Sequence, residues 1–327
     1  MNWKGKSVLI TGAGGFIGSH LTERLVELGA KVRGFVHYNA QGMLGWLDES
    51  PLRKEVEVIA GDIVDRDSVQ NAVRGMDVVF HLAALIGIPY SYSAPASYVR
   101  TNIEGTLNIL RCGREMGVGR VVHTSTSEVY GTARREPIDE DHPLQGQSPY
   151  SASKIGADKL AESFHLSFEL PVVTVRPFNT FGPRQSARAV IPTIIAQCLT
   201  KKEIHLGNLH PTRDLNYVAN TVDGFVLAAA TDAAVGKTIN LGSGRKISIG
   251  DLAKLIASMT NQRIVIKHDE KRTRPVKSEV ECLLADNTLA RTLLGWEPRV
   301  SLEQGLKPTI EWMQKNLERY RPNEFSV

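Results

Sequence analysis

Residues 7–18 read SVLITGAGGFIG, a short apolar run that passes directly into a glycine-rich turn. The apolar run predicts a central parallel strand that is covered on both faces. Residues 19–28 then follow a helical pattern, and residues 31–36 are the next predicted strand. A glycine-rich turn between a strand and a helix, with a second strand after the helix, is the context that a dinucleotide-binding turn requires. We therefore predict an α/β fold that binds a dinucleotide cofactor.

Three glycines of this turn have separate expected roles. Gly12 permits the tight turn, Gly15 lets the backbone approach a pyrophosphate, and Gly18 lets the helix lie close to the sheet. Phe16 and Ile17 lie between the last two of these glycines, and the N-terminus of the helix that follows offers free amide groups and a partial positive charge that favour a pyrophosphate. These residues are the predicted binding site for the phosphates of the cofactor. The alternative is a glycine-rich turn that binds no ligand.

The alternation of strands and helices continues to residue 176. Further strands are predicted at residues 56–60, 76–84, 120–125 and 171–176. Together with the first two they make six strands that alternate with helices, which predicts a Rossmann-like, doubly wound parallel sheet. In such a sheet, ligands bind outside the carboxyl ends of the strands.

The pattern changes after Pro183, where proline, short helices and isolated strands replace the regular alternation. We predict a Rossmann-like NAD(P)-binding domain over residues 1–176. A smaller α/β lid that mainly binds the substrate is predicted over residues 177–327. Segments near residues 205–245 are expected to return to the first domain.

Composition and charge exclude several classes of partner. The 327 residues carry a net charge of only +4, and the lysines and arginines are scattered, so we expect no nucleic-acid partner. No apolar run approaches the roughly 18–20 residues of a membrane span, and the first residues run straight into a strand, so we expect no membrane association. The three cysteines are far apart and in no metal-ligand spacing. We therefore expect no metal site and reduced thiols in a cytoplasmic protein.

A tyrosine and a lysine, Tyr150 and Lys154, follow the predicted strand at residues 120–125 and stand four positions apart in a predicted helix. Residues four apart share a helix face. An ammonium group near a phenol favours the phenolate and lowers the pKa of the tyrosine, which makes it a usable acid or base. Because the chain has eight tyrosines, the spacing alone also fits an ordinary surface pair. The cofactor-binding turn that precedes the pair favours the catalytic interpretation.

The Gly-x-x-Gly-x-x-Gly spacing of residues 12–18, together with Tyr150 and Lys154, resembles the extended short-chain dehydrogenase/reductases of the NAD-dependent epimerase/dehydratase family. The resemblance covers nearly the whole chain. It implies that Tyr150 and Lys154 also contact the cofactor and that the protein forms a homodimer. The helices expected at the dimer interface lie around residues 102–116 and 150–168.

The resemblance implies further contacts to the cofactor. Asp62 is expected to bind the adenine amino group, and Ile63 to flank the adenine ring. Asp62 equally fits a turn residue that bonds its own backbone. The small and apolar residues at the end of the fourth predicted strand are expected to allow close approach of the cofactor; they are Leu82, Ala83 and Ala84.

The residue that usually separates NAD from NADP is missing. NAD-binding members of the family end the second strand with an acidic residue, whereas this chain has His37, followed by Tyr38 and Asn39. Without that carboxylate nothing repels a 2′-phosphate, and His37 or Arg33 are available to bind one. The resemblance favours NAD, because close relatives mostly use it, and NADP is not excluded.

Polar residues after the last predicted strand are the expected contacts of a nucleotide-diphosphate sugar. The resemblance implies that Asn179 lies against the sugar or its phosphates, and it includes Arg184 among the substrate-binding residues. Arg213 and Arg274 are expected to bind the diphosphate through their forked guanidinium groups. A salt bridge from Arg213 to the adjacent Asp214, and a solvated charge run around Arg274, are the alternatives.

The reaction implied by the resemblance begins when the phenolate of Tyr150 removes the proton of a sugar hydroxyl while hydride leaves the same carbon. Lys154 would lower the pKa of the phenol, and Thr126 would bond the hydroxyl. Glu128 lies two residues after Thr126, so in an extended segment both side chains would face the same side. A carboxylate beside a new 4-ketone can remove the C5 proton, after which the C6 hydroxyl leaves as water and hydride returns to C6.

The Thr126-Ser127-Glu128 sequence resembles the nucleotide-sugar 4,6-dehydratases, and the whole pattern looks most like those that act on UDP- or GDP-linked N-acetylglucosamine in legionaminic-type pathways. The dTDP-glucose branch has Asp in place of Ser127, so Glu128 or a water would have to protonate the leaving oxygen. UDP-glucuronate decarboxylases carry the same motif. A 4-epimerase and a non-catalytic dinucleotide sensor are further alternatives, against which Glu128 and the intact catalytic set argue, respectively.

Overall fold

The structure, a computed structural model, describes residues 1–320 of the chain. The strands are β1 (Ser7–Thr11), β2 (Lys31–His37), β3 (Val56–Gly61), β4 (Val78–His81), β5 (Arg120–Thr124), β6 (Val172–Pro177), β7 (Asn179–Phe181), β8 (Glu203–Leu206), β9 (Thr212–Tyr217), β10 (Thr238–Leu241), β11 (Lys246–Ser248), β12 (Val265–His268) and β13 (Cys282–Leu283). The helices are α1 (Phe16–Glu27), α2 (Arg66–Val73), α3 (Ile88–Ser93), α4 (Pro95–Tyr98), α5 (Gly105–Glu115), α6 (Pro149–Phe168), α7 (Val190–Thr200), α8 (Val218–Ala230), α9 (Ile249–Met259), α10 (Thr288–Leu294) and α11 (Leu302–Lys315). The end of the predicted second domain, residues 321–327, lies outside the described residues.

The main sheet confirms the predicted doubly wound fold. Within residues 1–320 it has seven parallel strands in the order β10-β6-β5-β4-β1-β2-β3. β1 pairs with β2 on one side and with β4 on the other, so the direction of winding reverses between β1 and β4. Ligands of such sheets bind at this reversal, beyond the carboxyl ends of the strands.

Helices cover both faces of the main sheet, which explains the continuous apolar character of β1. Val8 and Ile10 pack in a cluster with α1 and α8, whereas Leu9 packs in a cluster with α2, α5 and α6 on the opposite face. Because successive side chains of a strand point to opposite faces, a strand buried on both sides carries no polar alternation.

A smaller lobe follows β6, although part of the later chain returns to the main sheet. In the described part, β7, β9, β11 and β13 form a second sheet, and β8 pairs with β12. A separate apolar cluster that includes residues of α7, α9 and α11 supports this lobe. β10 pairs with β6 and α8 packs against α1, so residues 218–241 belong to the larger layered structure.

No helix among the described residues is both long enough and apolar enough to cross a membrane.

Candidate active site

A cavity of about 1770 Å³ opens at the carboxyl ends of the main-sheet strands and extends to the smaller lobe. Most of the residues predicted from the sequence to bind the cofactor or substrate line this cavity. They are Gly12, Gly15, Phe16, Ile17, Gly18, His37, Asp62, Ile63, Leu82, Ala83, Ala84, Thr126, Ser127, Glu128, Tyr150, Asn179, Arg213 and Arg274. Two other predicted site residues, Lys154 and Arg184, are not part of its wall.

The glycine-rich turn leaves backbone amide groups at the wall of the cavity. α1 begins after Gly15, has no side-chain cap and carries no acidic residue in its first turn. The orphan amide groups of such a helix end are donors for an anion. Gly12 has a φ of 72°, and a Cβ there would lie 2.9 Å from the backbone nitrogen of Ala83. A Cβ at Gly18 would lie 2.1 Å from the Gly12 oxygen, so the turn can be this tight only with glycine. The turn therefore fits a pyrophosphate.

The end of β2 offers one basic residue rather than two for a 2′-phosphate. The guanidinium of Arg33 bonds Glu57 at 2.9 Å and donates to the carbonyls of Ala72 and Arg74, also at 2.9 Å. Arg33 is therefore committed to structural contacts, and the idea that it binds a 2′-phosphate is wrong. His37 is exposed and lines the cavity.

The segment after β2 is a part of the cofactor region that sequence reasoning missed. Residues 45–49 form a 3₁₀ turn, and the Trp46 amide donates to the Gly14 carbonyl at 2.9 Å. A Cβ at Gly14 would lie 2.3 Å from the Leu44 oxygen, so this segment packs directly on the glycine-rich turn. No motif marks it in the sequence, since the contact requires the fold.

Asp62 makes a hydrogen bond to the backbone of its own turn, as the alternative interpretation of this residue predicted. One carboxylate oxygen accepts a hydrogen bond from the Val64 amide at 2.9 Å. The side chain of Asn108 holds the next turn by donating to the carbonyls of Ile63 and Val64. Asp62 and Ile63 nevertheless line the cavity, so the turn presents both residues to it.

Tyr150 lies in the first turn of α6, which begins at Pro149 under a capping box formed by Ser148 and Ser151. These signals, visible in the sequence, fix the start of the helix and thereby the position of the phenol. Burial raises the pKa of Tyr150, and a hydrogen bond with Thr126 opposes that rise. The Tyr98 ring packs edge-on against it at 6.2 Å between ring centroids.

Lys154 is buried one turn later, and its ammonium donates to the Thr124 carbonyl at 2.5 Å. Burial lowers the pKa of Lys154 to about 8, while the charge of Asp158 acts in the opposite direction. The pKa of Tyr150 is raised overall rather than lowered as expected, because the cost of burying the phenolate dominates.

Thr126 and Glu128 share the cavity wall, but not in the extended segment that was expected. Ser127–Tyr130 is a 3₁₀ turn, and the Thr126 hydroxyl accepts a hydrogen bond from the Glu128 amide at 3.3 Å. The threonine caps the turn, which ends the extended backbone. The Glu128 side chain is 9% exposed and lies 3.6 Å from the guanidinium of Arg274. Its negative charge also raises the pKa of Tyr150, as expected of a near neighbour.

Arg213 and Arg274 face the cavity, and both alternatives considered for them are wrong. Arg213 pairs with Glu279 at 3.4 Å rather than with Asp214. The carboxylate of Asp214 instead accepts hydrogen bonds from two segments, from the Ser243 and Gly244 amides after β10 and from the Ala285 amide after β13. Arg274 is directed towards Glu128 and not into solvent.

Four buried polar atoms of residues that line the cavity have no hydrogen-bond partner among the described residues. They are Nη1 of Arg274, Oδ1 of Asn179, Oγ1 of Thr124 and Oε1 of Gln185. Buried polar groups are rarely left without a partner, and each one costs free energy comparable to a lost hydrogen bond. A donor and an acceptor that line one cavity therefore indicate a polar ligand.

Arg184 does not reach the cavity. Its guanidinium pairs with Glu23 of α1 at 2.9 Å and donates to Ser19 at 3.2 Å. Its φ of 71° turns the chain at this point. Arg188, four residues later, lines the cavity instead. The sequence pattern predicted the right segment, and only the fold shows which of its arginines faces inward.

Two polar residues beneath the site order its walls. Both ring nitrogens of His81 are hydrogen-bonded, to Thr11 at 2.8 Å and to Thr106 at 3.0 Å, and burial holds its pKa well below the usual value. These contacts indicate a structural role for His81. The Asn102 amide donates to the Leu85 carbonyl at 3.0 Å and to Ser153 at 2.9 Å. Asn102 thereby ties the loop after β4 to α6.

Among residues 1–320, no group of three or more histidine, cysteine or acidic side chains has the geometry to hold a metal ion.

Comparisons with known proteins agree with this geometry. Residues 9–309 match the family model described as GDP-mannose 4,6 dehydratase. The chain is 33% identical over 313 residues to the UDP-glucose 4-epimerase of Mycolicibacterium smegmatis, covering 94% of this chain and 98% of the relative. It is 34% identical over 321 residues to the UDP-N-acetyl-alpha-D-glucosaminuronate decarboxylase of Bacillus cytotoxicus, covering 95% and 98%.

The structure superposes on that of the dTDP-glucose 4,6-dehydratase DesIV from Streptomyces venezuelae, which was crystallised with NAD bound. The TM-score is 0.86 at 28% identity, and the match covers 97% of this chain and all of the other. Three reactions on nucleotide sugars are thus represented at similar identity. The matched length, the dinucleotide-binding turn and the Tyr150–Lys154 helix lead to one conclusion: the chain belongs to the NAD-dependent epimerase/dehydratase family of nucleotide-sugar enzymes.

Proposed function

We propose that the protein is an NAD-dependent nucleotide-sugar 4,6-dehydratase that acts on UDP- or GDP-linked N-acetylglucosamine. The observation that carries the proposal is the position of the Glu128 carboxylate, which shares a cavity wall with Thr126 and Tyr150. An enzyme that only oxidises and reduces C4 needs an acid–base tyrosine. A carboxylate beside it is required when a proton must also be removed from C5.

The first step uses residues at the start of α6 and the end of β5. Tyr150 accepts the proton of the C4 hydroxyl, and the Thr126 hydroxyl orients the same oxygen. Lys154, protonated below its pKa of about 8, supplies the positive charge that favours the phenolate. When bound, NAD supplies the hydride acceptor at C4 and the hydride donor at C6.

Elimination is assigned to Glu128. Its carboxylate removes the C5 proton, which the new C4 ketone has made acidic. The same proton then leaves with the C6 hydroxyl as water, so one carboxyl group can act as base and then as acid. Ser127, which lines the cavity, is a hydrogen-bonding neighbour in this mechanism and not a proton donor. No further oxidant or reductant is needed, because the hydride that leaves C4 returns to C6. C5 then takes up a proton from water, which balances the C4 hydroxyl proton that Tyr150 removed.

The diphosphate of the substrate is assigned to the cationic side of the cavity. Arg213 and Arg274 lie on the wall that the smaller lobe contributes, and Asn179 begins β7, just after the end of β6. The buried donor of Arg274 and the buried acceptor of Asn179 gain partners when a phosphorylated sugar binds. Arg188 adds a third cationic side chain to the same cavity.

Decarboxylation of a nucleotide-linked uronate is the second candidate, because Arg274, 3.6 Å from Glu128, could also bind a C6 carboxylate. The two reactions share C4 oxidation and differ in the group that leaves. They are therefore separated by the mass of the product.

The test incubates the purified protein with UDP-N-acetylglucosamine, GDP-N-acetylglucosamine, UDP-glucuronate and dTDP-glucose in separate reactions. Loss of one water from either N-acetylglucosamine nucleotide supports the proposal, and in deuterated water the product should carry deuterium at C5. Loss of carbon dioxide from UDP-glucuronate alone would identify a decarboxylase. An inverted C4 centre at unchanged mass, seen by NMR, would identify an epimerase. The Tyr150→Phe variant is the inactive control.

A further inference from the structure

A buried carboxylate lies one helical turn beyond Lys154 on α6. Asp158 is 4% exposed and is not part of the cavity wall. It accepts hydrogen bonds from Nε2 of His123 at 3.0 Å, from the Ser125 hydroxyl at 2.6 Å, and from Nε and Nη2 of Arg176 at 3.2 and 3.0 Å. Each donor comes from β5, its end, or β6, so the carboxylate ties the catalytic helix to the sheet.

The partners of this carboxylate are themselves fixed. Nη1 of Arg176 donates to the Tyr130 hydroxyl at 2.9 Å, and the guanidinium carbon lies 4.9 Å from the centre of the Tyr130 ring. Tyr130 in turn donates to the Asn240 side chain at 2.8 Å. Taking an ion pair out of water costs several kcal/mol per charge before its Coulomb attraction is counted. A buried ion pair is thus not explained by stability alone.

The group nearest to Asp158 along the helix that needs a negative charge is Lys154. The Lys154 residue is 5% exposed, and its ammonium donates to one neutral partner, the Thr124 carbonyl. Residues four apart on a helix lie on the same face, so Asp158 stands one turn from Lys154 on the same face of α6. Desolvation alone would favour neutral lysine.

We propose that Asp158 is a positioning residue whose fixed negative charge, held by His123, Ser125 and Arg176, keeps Lys154 protonated beside Tyr150. The proposal rests on the roles assigned to Tyr150 and Lys154 in the proposed function. It does not depend on whether water or carbon dioxide leaves, because C4 oxidation is common to both reactions.

Other titratable or charged groups face Tyr150 and Lys154 from every element packed against them. They are His81 from β4, Tyr98 from α4, His123 from β5, Glu128 from the turn after β5, and Arg176 from β6. Burial lowers the pKa of both histidines, so neither carries a competing positive charge at neutral pH. Glu128 and Tyr98 act on Tyr150, raising its pKa. The pKa of Asp158, in contrast, is lowered. Burial opposes its ionisation, but His123, Arg176 and Ser125 outweigh that cost and hold its pKa at about 2.

The test measures C4 oxidation as a function of pH in the NAD-loaded enzyme, followed by the absorbance of reduced cofactor in single turnovers. In Asp158→Asn the basic limb of the profile should move to lower pH by about one unit, because Lys154 loses its proton more easily. Ser125→Ala, which removes one hydrogen bond and keeps the charge, should leave the limb in place. Asp158→Glu should also keep it near the wild-type position.

A lower rate with an unmoved basic limb in Asp158→Asn would overturn the proposal and show a purely structural role. An equal displacement of the limb in Ser125→Ala would overturn it as well. If Asp158→Asn does not fold, Arg176→Gln decides the matter: removal of a positive charge should move the limb to higher pH, and an unmoved limb refutes the proposal. Full activity of Tyr150→Phe would instead refute the proposed function.

Discussion

Replacement of Glu128 by glutamine should separate the two halves of the proposed reaction. The substitution keeps the size of the side chain and removes its negative charge and its capacity to accept a proton. Removal of a general base typically slows the dependent step by about 10²–10⁴-fold. We expect the elimination to slow by about that factor, which corresponds to roughly 3–5 kcal/mol in activation free energy.

The same substitution should not slow C4 oxidation. Glu128 raises the pKa of Tyr150 through its negative charge, so glutamine should lower that pKa. A lower pKa of Tyr150 increases the fraction of phenolate, which favours proton removal from the C4 hydroxyl. The acidic limb of the oxidation profile should therefore move to lower pH. Reduced cofactor and a 4-keto sugar should then accumulate on the enzyme, because hydride cannot return to C6 until water has left.

The assay combines single-turnover absorbance of the reduced cofactor with mass spectrometry of the quenched sugar nucleotide. Glu279→Gln is a matched control, since the Glu279 side chain is also 9% exposed and also pairs with an arginine of the cavity, Arg213. That variant should alter KM and leave the elimination step intact. Product formation by Glu128→Gln at the wild-type rate would refute the assignment of Glu128 as the base and, with it, the dehydratase proposal.

Three other outcomes are expected. Tyr150→Phe should abolish C4 oxidation in single-turnover absorbance while the variant still binds NAD in a titration, because only the phenol proton acceptor is lost. Arg184→Ala should lower the free energy of unfolding by about 2 kcal/mol in urea titrations, since a charged pair with Glu23 is removed, and it should leave KM unchanged because the side chain is outside the cavity. We propose a homodimer through α5 and α6, where Phe168 is 44% exposed, so Phe168→Glu should sediment as a monomer under conditions in which the wild type is dimeric.

Local signals in the sequence predicted the parts of the site that short stretches of chain determine. The glycine turn before α1 and the capped start of α6 at Ser148 depend on neighbours within a few residues, and the positions of Gly12 and Tyr150 follow from them. The partner of Arg213 could not be predicted this way, because Glu279 is 66 residues away and arrives through a different segment of the lobe.

The predictions that were wrong failed for different physical reasons. Arg184 was expected in the site because it lies in the right segment, but a φ of 71° and the carboxylate of Glu23 direct it to α1. The extended conformation expected for Thr126 to Glu128 ignored the ability of a threonine hydroxyl to cap the following turn. The depressed pKa expected for Tyr150 omitted the cost of burial, which only the packed structure reveals.

Glu128 disfavours the Tyr150 phenolate, which C4 oxidation requires, and this unfavourable effect is an argument that Glu128 acts in the elimination step. A negative charge beside Tyr150 disfavours the phenolate, so an epimerase, which needs only C4 oxidation and its reversal, would gain from a neutral residue at this position. Decarboxylation removes carbon dioxide and leaves C5 in need of a proton, which calls for a donor. Dehydration calls for a group that first accepts the C5 proton, and a carboxylate facing the guanidinium of Arg274 can do so without losing its partner. The unfavourable effect on Tyr150 is thus an argument for the proposed elimination of water.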